Sequence, residues 1–185
     1  IDVNLDRALG FYSTTAYNLS LDMALKGSEI RRLEMQAQFP DGKVVSGTTN
    51  PVPGGRVLSV AFNDMGTILR FAGVYPRLIG GQGSLVMTTD TAAGTDTGEL
   101  LMRSFMVVDE ENVAQVASRS PNANRTASNQ IRFRSGKANF VRRKDRIELT
   151  EAVLTGDFVG GTLRGFIYTE NRQYDLAGTY IPLAG

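Results

Sequence analysis

The feature that most constrains this chain is a two-residue alternation of apolar and polar side chains that returns between successive turn signals. From Asp145 to Leu183 the sequence reads DRIELTEAVLTGDFVGGTLRGFIYTENRQYDLAGTYIPL. Ile147, Leu149 and Val153 alternate with polar residues, which is the period of a strand with one buried face. Gly156 and Asp157 interrupt the run, and Gly160-Gly161 predicts a tight reversal because glycine accepts positive φ. A second strand is expected over 162–169, a polar turn at Glu170-Asn171-Arg172 and a third strand over 173–181. Pro182 has no N–H to give a continuing ladder, so it should end that strand. The product is an antiparallel meander.

The same period governs the first sixty residues. Ile1, Val3 and Leu5 alternate with Asp2, Asn4 and Asp6, and Phe11 to Tyr17 reads as a connection. Leu19, Leu21, Met23 and Leu25 make a cleaner row, followed by a turn at Lys26-Gly27-Ser28. Leu33, Met35, Ala37 and Phe39 line the next strand, with Glu34, Gln36 and Gln38 opposite. Pro40-Asp41-Gly42 is a strong turn signal. A short strand over 44–48, a Pro/Gly loop over 50–55 and a strand carrying Leu58, Val60 and Phe62 follow.

The period then changes. Asn63 or Asp64 can cap a helix by accepting an orphan backbone N–H. Met65, Ile68, Leu69 and Ala72 share one face of it, and Gly73 can end it. A strand is expected around 84–89 and a polar loop over 91–98. Residues 100–108 are apolar apart from Arg103 and Ser104, which predicts a strand covered on both faces. Asp109 can cap a second short helix carrying Val113, Val116 and Ala117, and 118–130, rich in Ser, Asn and Arg, reads as a loop. The strand pattern resumes at Ile131. Gly80-Gly81 and Gly160-Gly161 form a faint internal echo, which similar hairpins would also produce.

Composition excludes several kinds of chemistry. The chain has 185 residues, enough for one domain with a sizeable core. Without His or Cys there is no Ser-His-Asp triad, no cysteine nucleophile and no usual zinc site. A carboxylate pair or a Ser-Lys pair is still open to such a chain, but nothing in the spacing points to one, and no enzyme activity, cofactor or metal is expected. Glu110-Glu111 read as first-turn carboxylates favoured by a helix dipole rather than as a catalytic pair. Gly80-Gly81 with Gly83 precedes a strand, not a helix, and so makes a poor phosphate-binding loop. Twenty Lys+Arg against nineteen Asp+Glu argue against a nucleic-acid binder. No apolar run approaches the ~20 residues of a membrane-spanning helix. The lack of cysteine is compatible with an extracytoplasmic compartment. The chain opens on a strand pattern with neither Met nor a signal sequence, and we expect it to be a fragment of a longer protein.

Two segments carry a resemblance. One is GDFVGGTLRGFIYTENRQYDLAGTYIP, with Thr162, Leu163, Gly165 and Ile167 in one strand and Asp175, Leu176, Gly178, Thr179 and Pro182 in the next. The other is FNDMGTILRFAGVYPRLIGGQGSLVM, Phe62 to Met87. In order and spacing they resemble the C-terminal region of the AsmA-like family, relatives of YhdP and TamB, over most of the chain from about Arg56 onward. The motifs are fold signatures, and none is catalytic. Alternation and resemblance together give the expected fold class: mainly β, a single domain over 1–185. It would be a long twisted antiparallel sheet curved into a half-pipe or partly closed barrel, with two short α-helices.

The resemblance implies a role. AsmA-like proteins are anchored in the inner membrane of Gram-negative bacteria, extend through the periplasm and resemble bridge-like lipid-transfer proteins. The chain would then be a periplasmic lipid-binding and lipid-transport domain contributing to phospholipid movement to the outer membrane and to envelope integrity. Its partners would be phospholipid acyl chains and inner- and outer-membrane envelope proteins, with membrane contact through parts of the parent protein outside this chain and no nucleic acid. On that reading Leu19, Leu21, Met23, Leu25, Leu33, Met35 and Phe39 are lipid-groove candidates. From periodicity alone the same rows are an ordinary core. A size estimate narrows the gap: about ten strands at ~4.8 Å make a sheet roughly 48 Å wide, more than two helices about 10–12 Å across can cover. The alternative is a periplasmic adaptor in outer-membrane assembly, docking partners through an exposed sheet edge.

Overall fold

The computed structural model describes residues 1–27, 29–109, 130–157, 159–170 and 173–182, with backbone only at Glu29, Tyr174, Tyr180 and Pro182. The recurring alternation becomes eleven strands: β1 Asp2–Leu9, β2 Thr15–Lys26, β3 Glu29–Phe39, β4 Lys43–Val52, β5 Gly55–Phe62, β6 Leu78–Asp90, β7 Thr95–Val108, β8 Gln130–Arg142, β9 Arg146–Gly156, β10 Val159–Tyr168 and β11 Tyr174–Pro182. They form one sheet in simple sequence order, each strand antiparallel to the next. About three quarters of the described residues, 75%, are in strands. β1 and β11 remain at opposite edges, and the sheet does not close into a barrel.

Between β5 and β6 lies the helix α1, Met65–Phe71. The Asp64 side chain accepts the Thr67 N–H at 2.8 Å, which satisfies a donor that the first turn would otherwise leave unpaired. Gly73 follows at φ +71°, the left-handed residue that ends many helices. α1 lies close on the sheet. A Cβ at Gly66 would stand 2.3 Å from the Leu78 carbonyl oxygen, so only glycine permits this approach. Its Met65, Ile68 and Phe71 pack over a cluster of Ala16, Ala37, Phe39, Val45 and Phe62. Ala72, expected on that face, is exposed instead.

Several strands are longer than the sequence implied. The β4–β5 hairpin turns only at Pro53-Gly54, with Gly54 at φ +79°, so the ladder runs through Asn50 and Pro51. The polar stretch after β6 is a tight turn held by Asp90, whose Oδ1 accepts from the N–H groups of Ala92 and Ala93 at 2.9 Å. Gly94 at φ +63° completes it, and β7 starts at Thr95. Gly160-Gly161 does not reverse the chain. Both glycines sit inside β10, paired with β9 on one side and β11 on the other. Gly80 and Gly81, by contrast, lie at φ +73° and +93°, so the two glycine pairs share sequence and not conformation. Nor is β7 covered on both faces, since Leu101 is 41% exposed. Among the described residues α1 is the one α-helix, beside a 3-10 turn at Pro40–Gly42. The second expected helix falls outside the described residues.

The core is shallow. Two clusters of buried apolar residues lie on the sheet, one beneath α1 and one of Leu33, Leu58 and Met87 beyond it. No large side chain is fully enclosed among the described residues. The chain exposes 11392 Å², against roughly 8,700 Å² for a compact protein of its mass.

Candidate functional site

In a sheet, residues paired across strands share a face, so the register decides what each face presents. Starting at the β1 edge, Val3 pairs with Leu21, Leu21 with Met35, Met35 with Gly47 and Gly47 with Val60. The line continues from Val60 to Leu85, Leu100, Ala138, Ala152, Leu163 and finally Gly178 on β11. It therefore crosses the whole sheet, one residue per strand, without meeting a polar side chain. A second row one step along runs Leu58, Met87, Gly98, Phe140, Leu149, Gly165 and Leu176.

The opposite face is mixed and more polar in the same register. Asn4, Ser20, Gln36 and Ser46 are successive partners on it, followed by Ala61, Ser84, Leu101, Lys137, Val153, Thr162 and Thr179. Two ion pairs lie on this face, Arg32 with Asp22 and Lys137 with Glu99 at 2.7 Å, while Asp96 and Arg142 pair at 3.6 Å on the other face, at its rim beyond Gly98 and Phe140. The hydrogen bond and charge of Glu99 hold the Lys137 ammonium above its ordinary range.

Glycines level the apolar face. The Phe140 ring lies across Gly98, where a Cβ would come within 2.1 Å of the ring, and Met35 lies across Gly47 at 2.9 Å. Large side chains thus lie flat over their small neighbours instead of standing up from the sheet. Leu21, Met23, Leu85, Leu100, Leu149 and Leu163 are all only half-buried, as expected of side chains that touch sheet neighbours and have no layer above them.

α1 covers one end of this face. Its seven residues span about 10 Å at 1.5 Å each, whereas eleven strands at ~4.8 Å spread over roughly 53 Å. Among the described residues nothing else is packed on the apolar side. Of the sequence candidates, Leu19 packs near the helix-covered cluster, while Leu21, Met23 and Met35 border the Leu33 cluster beyond it. Leu33 is itself buried, and Leu25 sits at the far rim, 47% exposed. Phe39 lies under the helix, edge-on to Phe71 at 5.5 Å, so it belongs to the covered end. Sequence reasoning stopped at β3 and missed the continuation through Leu85, Leu100, Phe140 and Leu163. Each of those strands carries its own alternation, but only register joins them into one surface.

The architecture defines the class: a single-layer, amphipathic antiparallel meander whose one face carries an unbroken apolar row and is bounded at one rim by Arg56, Thr89, Asp96 and Arg142. Compared with known family models, curated proteins and solved structures, the chain matches none. No helix among the described residues is long and apolar enough to cross a membrane.

Proposed function

We propose that this chain is a non-enzymatic lipid-binding domain whose apolar sheet face serves as an open, trough-like bed for phospholipid acyl chains. It would act in the periplasm, as part of an inner-membrane-anchored AsmA-like protein that moves phospholipid toward the outer membrane. The observation that carries the reading is the apolar row from Val3 to Gly178, unbroken over eleven strands and covered only near α1. Water against such a surface is costly. An acyl chain laid on it recovers roughly 0.8 kcal/mol for each CH₂ removed from water, so ten methylenes supply about 8 kcal/mol, the range of micromolar binding. The phosphate headgroup can stay in solvent, and no step requires a nucleophile. The resemblance of residues 62–87 and 156–182 to AsmA-like proteins supports the compartment and the direction.

The test is native mass spectrometry of the chain after gentle purification from a Gram-negative host. Co-purifying phospholipid is the expected result, and a clean apo mass under conditions that preserve other lipid complexes would overturn it. A second reading has its own support. β1 and β11 have no neighbouring strand beyond them among the described residues, and an open edge can take up a partner's strand. An adaptor of that kind predicts an apo mass together with a bound envelope protein.

A further inference from the structure

A small polar pocket of about 210 Å³ opens at the helix-capped end of the sheet, where the β1–β2 turn, the β3–β4 turn and α1 meet. It is smaller than the roughly 300 Å³ at which sites for drug-sized molecules begin, so it suits a single polar group. Its chemistry is one-sided. The Lys43 ammonium donates to Thr67 Oγ1 at 3.3 Å, and the Arg70 guanidinium donates to the same oxygen at 3.0 Å. Two cations thus occupy the two lone pairs of one hydroxyl, which leaves its O–H as a donor. Arg70 also donates to the Leu78 carbonyl oxygen at 2.8 Å, and with five N–H groups it retains donors beyond these two contacts. Ser13, Thr14 and Thr15 add hydroxyl groups to the walls, the Thr14 hydroxyl already donating to the Phe11 carbonyl oxygen at 2.5 Å.

The charge is not balanced within the site. Lys43 is neutralised by Asp64, whose carboxylate lies 3.1 Å from the ammonium. Arg70 faces a carbonyl and a hydroxyl, and among the described residues it meets no carboxylate. Lys43 and Arg70 against Asp64 leave one positive charge in a half-buried setting, where an uncompensated cation is costly and an incoming anion is favoured. Unused donors on Arg70 and Thr67 and a single surplus charge call for a singly charged oxyanion.

We propose that the pocket formed by Lys43, Thr67 and Arg70 binds a phosphate oxyanion, with a phosphodiester matching the surplus charge. Arg70 is the principal anchor, Thr67 donates its hydroxyl hydrogen, and Lys43 is held in place by Asp64. The site stands apart from the lipid reading, because free phosphate offers the same oxygens. Seating a phospholipid headgroup there rests on that reading, and geometry favours it: Arg70 precedes Phe71, and Pro40 follows Phe39, two side chains of the apolar cluster.

The test is heteronuclear NMR of the 185-residue chain, following the Thr67 amide and the Arg70 Nε–H. The chain is titrated with sodium phosphate, with sodium chloride at matched ionic strength, and with dihexanoylphosphatidylglycerol below its micelle concentration. Saturable shifts with phosphate and not chloride are expected. Arg70→Gln should weaken phosphate binding at least roughly tenfold, the loss of one or more charge-assisted hydrogen bonds. Arg70→Lys should recover part of it, and Arg164→Gln, at the other end of the sheet, should change nothing. Shifts with both phosphate and the short-chain lipid support the headgroup seat. Shifts with phosphate alone support the oxyanion site and reject that seat. No response to either probe, a response equal to that of chloride, or unchanged affinity in a folded Arg70→Gln overturns the site. Lipid bound in native mass spectra would in that case still support the apolar face.

Discussion

At the scale of single residues, the glycines of the apolar rows have a specific structural task. Gly98 is extended, so its requirement is space and not a special backbone conformation. A Cβ there would meet the Phe140 ring at 2.1 Å, and the ring would have to swing off the sheet. Gly98→Val should therefore destabilise the fold by about 1–3 kcal/mol, the usual cost of overpacking, despite valine's better strand propensity. Urea unfolding followed by circular dichroism measures it. Unchanged stability would mean that Phe140 has another resting place and that the levelled surface is incidental. Nothing in the sequence alone pointed to this pairing. Phe140 and Gly98 are brought together by the β7–β8 register, across the segment between those strands.

At the scale of elements, the helix was the most legible part of the chain. Asp64 was readable as a cap and Gly73 as a stop, because both act on neighbouring backbone groups. Strand ends were less legible, because the residues that end strands elsewhere continue them here. Asn50 and Pro51 looked like a loop, yet the hairpin that would release them turns only two residues later. Asp64 also has a role beyond capping that only the fold reveals. One carboxylate oxygen accepts the Thr67 N–H while the other faces Lys43 across the β3–β4 turn. Asp64→Ala should cost at least about 1–2 kcal/mol from the cap alone, and more because it leaves the Lys43 ammonium half-buried and unpaired. Asp64→Asn, which keeps a capping oxygen and loses the charge, should fall between the two. If thermal or urea denaturation places both variants level with the parent, the helix end is held by packing against β6 and not by Asp64.

At the scale of the molecule, the sequence revealed that each strand has an oily and a polar side, and it left open whether those sides add up. They add up only if the registers of all ten strand pairs agree, since a slip of one residue would move a strand's apolar set to the other face. Two neighbouring residues of β6 allow the consequence to be tested. Leu85 stands in the apolar row between Val60 and Leu100, while Val86 points the other way and is 41% exposed between Ser59 and Glu99. Placing a lysine at either position puts the same charge on the same central strand, about 3.4 Å apart along the chain. If acyl chains lie on the apolar face, Leu85→Lys should remove bound phospholipid from the native mass spectrum, because an ammonium in contact with a methylene chain loses hydration with no compensating partner. Val86→Lys should leave the lipid in place. Both variants need circular dichroism spectra matching the parent. Should the Leu85 variant unfold, Leu85→Ser makes the same comparison with a smaller perturbation. Equal lipid retention in folded variants of both faces would mean that the oily row is only what holds the strands in register, and that any bound lipid sits elsewhere.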